Sequence, residues 1–315
     1  MLDVLTINRN SQDISVLRGK GDGTFFEQVR TPENNEPHTV VVIDLNGDPS
    51  PDLAVAGNNV ALYVGLGNGR FEVSENSVPG GGRSRSIVSV DVDSDGALDL
   101  VTSNSSSEDI SVFFGNGDGT FRPSIRSPTG GGVPRAILSA DFDDDSNPDI
   151  ATANESGIWV ILGVGDGTFV NPRRFSPGEQ PHSIVTADFN KDGFADIAAA
   201  PSSSSFGGVL LGKGDGSFEE PILFLTGTGP GHLGVADLDQ DGTLDLAVTN
   251  GGSDDVTILL GVGDGSMESF QTVADVTALL SYLFLGGLSP AEPFARCGDH
   301  VSSVLTCESF DACAP

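Results

Sequence analysis

Residues Asp91–Asp99 read DVDSDGALD, and the stretch from Gly115 to Phe121 reads GNGDGTF. This pairing decides the fold, because both halves recur along the chain in the same phase. The acidic half returns as DLNGDPSPD from Asp44, DFDDDSNPD from Asp141, DFNKDGFAD from Asp188 and DLDQDGTLD from Asp237, with starts 47–50 residues apart. The glycine half returns at Gly19, Gly65, Gly163, Gly212 and Gly261, at spacings of 46–50 residues. Two independent signatures in one phase mark a structural repeat. Between them lie short apolar runs such as SIVSV (86–90), LVTS (100–103) and ISVFF (110–114), followed by a Phe-led segment. Such runs, rich in Val and Ile and bounded by Gly, Asn, Asp and Pro, read as strands. Their near-continuous apolar character calls for burial on both faces. Four strands per repeat make the blade of a β-propeller; the coils of a parallel β-helix are much shorter than this period.

The expected fold is therefore all-β, a propeller of about six four-stranded blades over residues 1–272. The first blade is incomplete in this reading. Met1–Asn8 has the phase of a second strand, and Asp3 stands where the ninth loop residue belongs, so an inner strand and its acidic loop are missing. That phase predicts an N-terminally incomplete chain with an exposed inner edge, and it gives the lack of a signal peptide little weight. After Thr272 the texture changes. Ala274–Leu285 has helical spacing, stops at Gly286-Gly287 and is followed by Pro290 and Pro293. Residues 273–315, with Cys297, Cys307 and Cys313, read as a short helical C-terminal appendage; three cysteines allow one disulfide in a pairing the sequence leaves open.

Composition narrows the partners. Asp and Glu outnumber Lys and Arg by 45 to 15, giving a formal charge of −30 over 315 residues. A nucleic-acid surface needs Lys and Arg to release counterions, and an anionic membrane surface repels such a chain. No apolar run approaches the roughly 18 residues of a membrane span.

Much of the acid sits in the five loops. Positions 1, 3, 5 and 9 are Asp44, Asn46, Asp48 and Asp52; Asp91, Asp93, Asp95 and Asp99; Asp141, Asp143, Asp145 and Asp149; Asp188, Asn190, Asp192 and Asp196; and Asp237, Asp239, Asp241 and Asp245. Carboxylates two residues apart on a tight turn converge and repel. A hard dication with six to eight oxygen ligands relieves that repulsion. No His or Cys lies in any loop, which disfavours zinc and copper, and magnesium prefers more water. Calcium, up to five ions, is the expected cofactor. Acidic hairpin turns without metal are the plain alternative for one loop; five loops in register argue against it. An EF-hand fails because its twelfth-position Glu is replaced by Val55, Thr102, Thr152, Ala199 and Val248.

The pairing of D-x-D-x-D-G-x-x-D-[LI] with LLG-x-GDGTF resembles the FG-GAP/VCBS repeat, as in the integrin α-subunit propeller, across roughly residues 1–270. The resemblance implies calcium in the hairpin between the first and second strands of a blade, on the lower face, where it serves rigidity rather than chemistry. Position 6 is Gly96, Gly193 and Gly242 in three loops but Ser146 and Pro49 in the other two. Proline cannot take positive φ, so the Pro49 loop turns differently or binds weakly. The tail, LLSYLFLGG…CGDHVSSVLTCESFDAC, resembles the end of a dockerin-like module of secreted bacterial proteins. That family's preceding Asp-rich loop is not recognisable here, which counts against a dockerin-type partner.

Ahead of each inner strand stands a basic residue: His38, Arg85, Arg135, His182 and His232, five or six residues before the first loop Asp. If calcium loops end the inner strands below, these residues ring the upper mouth of the channel. They form a candidate site for an anionic ligand such as an acidic glycan, or they offset the field of the Asp ligands. Trp159, the single tryptophan, occupies a third-strand position held by small residues elsewhere and is expected to plug local space. The functional expectation is an extracellular or cell-surface, calcium-binding adhesion module for a glycan or protein ligand, with no catalysis of its own. The alternative is a polysaccharide lyase or hydrolase on the same scaffold.

Overall fold

The computed structural model describes residues 3–273, apart from 34, 77, 79–81 and 179. The described residues form six antiparallel sheets in sequence order. The first has three strands, β1 (Val4–Asn8), β2 (Asp13–Leu17) and β3 (Val29–Pro32). The second has β4 (Thr39–Ile43), β5 (Asp52–Ala56), β6 (Val60–Gly65) and β7 (Phe71–Val73). The third runs β8 (Ser84–Val90), β9 (Asp99–Asn104), β10 (Asp109–Phe113) and β11 (Ile125–Pro128). The fourth comprises β12 (Pro134–Ala140), β13 (Asp149–Asn154), β14 (Gly157–Gly163) and β15 (Phe169–Phe175). In the fifth are β16 (Pro181–Ala187), β17 (Asp196–Pro201), β18 (Phe206–Leu210) and β19 (Ile222–Leu225). The sixth has β20 (Pro230–Ala236), β21 (Asp245–Asn250), β22 (Asp255–Gly261) and β23 (Met267–Val273). The first strands β4, β8, β12, β16 and β20 neighbour one another in that order, a propeller-like arrangement. The expected helix, the cysteines and the dockerin-like tail lie outside the described residues.

Successive strand residues face opposite sides of a sheet, and here both sides are covered. In β5, Leu53 and Val55 pack with Ile14 and Tyr63 towards the first sheet. Ala54 and Ala56 pack with Leu62, Ile87, Leu100 and Phe113 towards the third. The same division recurs in β13, where Ile150 joins Val101, Ile110 and Ile161 while Ala151 and Ala153 join Ile184, Ile197 and Leu210. Each core thus lies between consecutive sheets, which explains why the second and third strands carry unbroken apolar runs. The first sheet has β1 at its edge, and its partner strand β2 is far more buried. Asp3 accepts the Gly19 N–H at 2.8 Å, the bond that a ninth-position Asp makes in the other sheets.

Candidate metal centres and a basic arc

The two sequence signatures meet in space through the ninth loop residue. Asp52, Asp99, Asp149, Asp196 and Asp245 are all fully buried. One carboxylate oxygen of each accepts the N–H of the second loop residue (Leu45, Val92, Phe142, Phe189 and Leu238) at 2.6–3.0 Å. The other accepts the N–H of the first glycine in the Gly-rich signature (Gly65, Gly115, Gly163, Gly212 and Gly261) at 2.7–2.8 Å. These glycines cannot carry a side chain: a Cβ on Gly163 would lie 2.2 Å from the Pro148 carbonyl oxygen. Burial raises the carboxyl pKa of Asp149 and Asp196 to about 6, with neighbouring loop carboxylates adding to the effect. Asp99 and Asp245 move the same way, also chiefly through burial.

The loop itself is wound by the remaining carboxylates. In the third to fifth sheets the first Asp accepts backbone N–H groups from positions 5 and 6: Asp141, for example, takes Asp145 at 3.2 Å and Ser146 at 2.8 Å, whereas in the sixth the Asp241 N–H goes to Asp239 at 3.1 Å. Asp91, Asp188 and Asp237 likewise accept from Gly96, Gly193 and Gly242 at 2.9–3.0 Å. Position 6 is left-handed at Gly96, Ser146, Gly193 and Gly242. Pro49 is not, and the first loop closes instead through Asp44 to Asn46 and Gly47, at 3.2 and 2.8 Å. The sequence expectation of a differently turned first loop is met. It missed that position 4 is also left-handed, at Gly47, Ser94, Asp144, Lys191 and Gln240. Four of those five are not glycine, so composition hid the signal.

Three loops bring carboxylate oxygens from positions 1, 3 and 9 within 4.8 Å of one another: Asp91, Asp93 and Asp99; Asp141, Asp143 and Asp149; Asp237, Asp239 and Asp245. The loops at Asp44 and Asp188 place Asn46 and Asn190 at position 3, and the Asn190 amide donates to Asp192 at 2.8 Å. Position 5 turns the chain towards position 7, as Asp95, Asp145, Asp192 and Asp241 accept the N–H two residues on at 2.7–2.9 Å; Asp48 does so with Ser50 at 2.7 Å. One oxygen each of Asp93 and Asp143 is buried with no hydrogen-bond partner. A buried carboxylate oxygen without a donor is costly, and a hard cation supplies what the protein does not. The oxygen-only donor set fits calcium rather than a soft metal.

The second loop carries its own cation. Arg122, the residue after the Gly-rich signature, pairs with Asp93 and reaches Asp95 at 3.4 Å while lying over the Phe114 ring. The corresponding residues in the other repeats are Phe26, Glu72, Val170, Glu219 and Glu268, so the sequence period offered no hint of it. The Asp of the Gly-Asp-Gly turn has a different task. Asp22, Asp118, Asp166, Asp215 and Asp264 accept from the Thr or Ser two residues on, whose hydroxyl and N–H hold these carboxyls below the usual range. The last glycine of the turn clasps the preceding sheet: Gly119, Gly167 and Gly216 donate to the carbonyls of Leu45, Val92 and Phe142 at 2.7–3.0 Å.

At the opposite end of the inner strands stand the basic residues. Arg85, Arg135 and His182 each fall at a register shift in pairing with the second strand, between Ser84 and Ser86, Pro134 and Ala136, and Pro181 and Ser183. His232 lies in the wider shift between Pro230 and Leu233. Such bulges re-aim a side chain. His38 immediately precedes β4, where its N–H donates to the Ala56 carbonyl at 2.8 Å. The His182 and His232 rings are 6.2 Å apart. Burial lowers the pKa of His38, and Arg9, Arg85 and Arg83 lower it further against Glu36. Burial likewise lowers His182, reinforced by Arg135 and His232. Sequence reading missed Arg9 and Arg83, which come from turns of unequal length.

Trp159 lies half-buried over the Gly130–Gly131 backbone, and its indole N–H donates to the Ser156 hydroxyl at 3.1 Å. A Cβ on Gly130 would sit 2.3 Å from the ring.

The family described as FG-GAP-like repeat matches residues 1–55, 44–102, 91–152, 141–199 and 192–248. The chain belongs to the FG-GAP-like repeat family. Each matched segment after the first starts in one acidic loop, and each extends past the next, so the FG-GAP period coincides with the geometric one. No curated protein matches the chain. Among solved structures, a lectin from Agrocybe aegerita that recognises non-reducing terminal N-acetylglucosamine is 21% identical, with a TM-score of 0.62, over 86% of this chain and 79% of that one. BBS1N in complex with ARL6DN is 15% identical, with a TM-score of 0.55, over 86% and 79%. The biofilm matrix protein Bap1 of V. cholerae is 17% identical, with a TM-score of 0.50, over 76% and 40%. At these identities the likeness concerns the fold. No helix among the described residues is long and apolar enough to cross a membrane.

Proposed function

We propose that the chain is an extracellular, calcium-stabilised β-propeller module that binds a glycan or protein ligand without catalysing a reaction. The observation that carries this is the separation of tasks along the inner strands. Oxygen clusters suited to calcium wind the loops at one end, and re-aimed basic side chains gather at the other. In this reading the ions, up to five, hold rigid the loops that clasp sheet to sheet, and the opposite end is left for recognition. A fold shared with a lectin and with a protein-binding domain supports a binding role, and a fold shared with a biofilm matrix protein supports an extracellular setting.

A glycan array probed with calcium and again with chelator tests the proposal. Calcium-dependent binding of a defined glycan set is expected. Depolymerisation of any bound polysaccharide would overturn the non-catalytic reading and favour the lyase or hydrolase alternative. An empty array, with no extracellular protein ligand in a parallel screen, would remove the binding role.

A further inference from the structure

We infer that the basic arc formed by His38, Arg85, Arg135, His182 and His232 is a binding site for a compact oxyanion, the carboxylate or sulfate at the end of an acidic saccharide. The inference rests on the binding role proposed above and names the ligand chemistry.

Four observations converge. The arc draws one basic side chain from each of five consecutive inner strands or their approaches, although the chain holds only 15 Lys and Arg against 45 acids. Four of the five sit at register shifts, so the strand gives up regular pairing where these side chains leave it. Three buried nitrogens of the arc have no hydrogen-bond partner: His38 Nε2, Arg85 Nε and His182 Nδ1. A buried unpaired polar nitrogen carries a desolvation cost, which an anion accepting a hydrogen bond from it would recover. The carboxylates near the arc stand at its rim: Glu36 pairs with Arg83 at 3.5 Å and Glu155 with Arg135 at 3.4 Å, both acids being exposed. No ion pair among the described residues involves Arg85. Its guanidinium is the group best placed to fork onto an oxyanion.

The charge outside the arc sets the ligand's size. A net charge of −30 surrounds one positive mouth, and fields from exposed charges reach about 8 Å at physiological salt. A terminal acidic sugar keeps its charge inside that radius. An extended polyanion must lay further charges over acidic surface. The arc therefore selects a chain end and rejects a long sulfated polymer. Because burial and the facing arginines hold His38 and His182 below their ordinary pKa, an entering anion draws protons onto them. The groups facing His38 are Arg9, Arg83, Arg85 and Glu36; those facing His182 are Arg135, Arg85, His232 and the Gly231 backbone. Binding should tighten as pH falls from 8 to 6.

The test is calorimetric titration of the calcium-loaded protein with inorganic sulfate, with a glucuronate-ended disaccharide, with its neutral counterpart and with a long heparin chain. Sulfate and the acidic disaccharide should bind and compete with each other, the neutral disaccharide should not bind, and heparin should bind more weakly than the disaccharide. The double variant Arg85→Gln with Arg135→Gln should weaken the acidic disaccharide at least tenfold, and His182→Gln should flatten the pH dependence. Equal affinity for the neutral and acidic disaccharides overturns the inference without using any variant. So does tighter heparin binding, or unchanged affinity in a folded double variant. An array ligand that is neutral and indifferent to the double variant would refute this site while leaving the binding role intact.

Discussion

Replacing Asp149 by Ala separates the structural role of the ninth loop residue from its role towards metal. The carboxylate is fully buried and accepts from Phe142 N–H at 2.8 Å and Gly163 N–H at 2.7 Å. Asp149→Ala leaves two buried donors without acceptors, at about 1–3 kcal/mol each. Against this stands the cost of an ionised buried carboxylate. Its pKa, raised by burial to about 6, corresponds to at most about 3 kcal/mol, and less where water reaches the loop. Because the folded pKa lies above the unfolded one, the favourable contribution is complete below about pH 4 and fades as pH rises through about 6. In chelator the variant should therefore melt roughly 4–15 °C below wild type near pH 5, and the gap should narrow by pH 7.5. Adding calcium at pH 7.5 should widen it again, because wild type gains about 2.7 kcal/mol from this site at 100 times Kd. Asp145→Ala is the control: its exposed bond to Asn147 N–H at 2.8 Å is worth about 1 kcal/mol, so its deficit should emerge mainly with calcium present. Scanning calorimetry at both pH values reads the comparison. Equal melting of Asp149→Ala and wild type in chelator at pH 5 would refute the two-armed role of the carboxylate.

The loops should differ in affinity. Asp48→Ala, in the loop that Pro49 turns differently, should cost less calcium affinity than Asp192→Ala, and equal losses by calorimetry would contradict that ranking. Arg122→Gln should strengthen calcium binding at the second loop several-fold, since the guanidinium paired with Asp93 and Asp95 is displaced when the ion enters; weaker binding would make Arg122 a support rather than a competitor. Gly130→Ala should destabilise the fourth sheet by about 2 kcal/mol or more, because the residue is left-handed and its Cβ would meet the Trp159 ring at 2.3 Å. A shifted Trp159 emission in that variant would accompany the loss, and an unchanged melt would show that the ring yields freely.

The repeat made the fold legible. A period carried by two motifs gives the number of sheets, and the unbroken apolar runs of β5, β9, β13 and β17 announced strands buried on both faces. Asp3 announced the three-stranded first sheet, confirmed by its bond to Gly19. What remained hidden departs from the repeat or acts across it. The ninth Asp looked like one more metal ligand, and only the fold shows both its oxygens committed to backbone donors from two motifs. Arg122 occurs in one repeat alone. The left-handed fourth loop positions are Ser, Asp, Lys and Gln, residues that carry no turn signature strong enough to read. The bulges beneath Arg85, Arg135 and His182 arise where Pro or Ser precedes the basic residue, a pattern meaningful only once the pairing register is known.

The account's central claim is that the acidic loops are calcium sites that hold the sheets rigid. Equilibrium dialysis of the chelator-stripped protein against calcium, paired with melts of the same samples, tests it most directly. The account predicts three to five ions bound per chain, a stepwise rise in melting temperature with occupancy, and a much smaller rise with magnesium. Fewer than one calcium per chain, with superimposable melts in calcium and chelator, would contradict it.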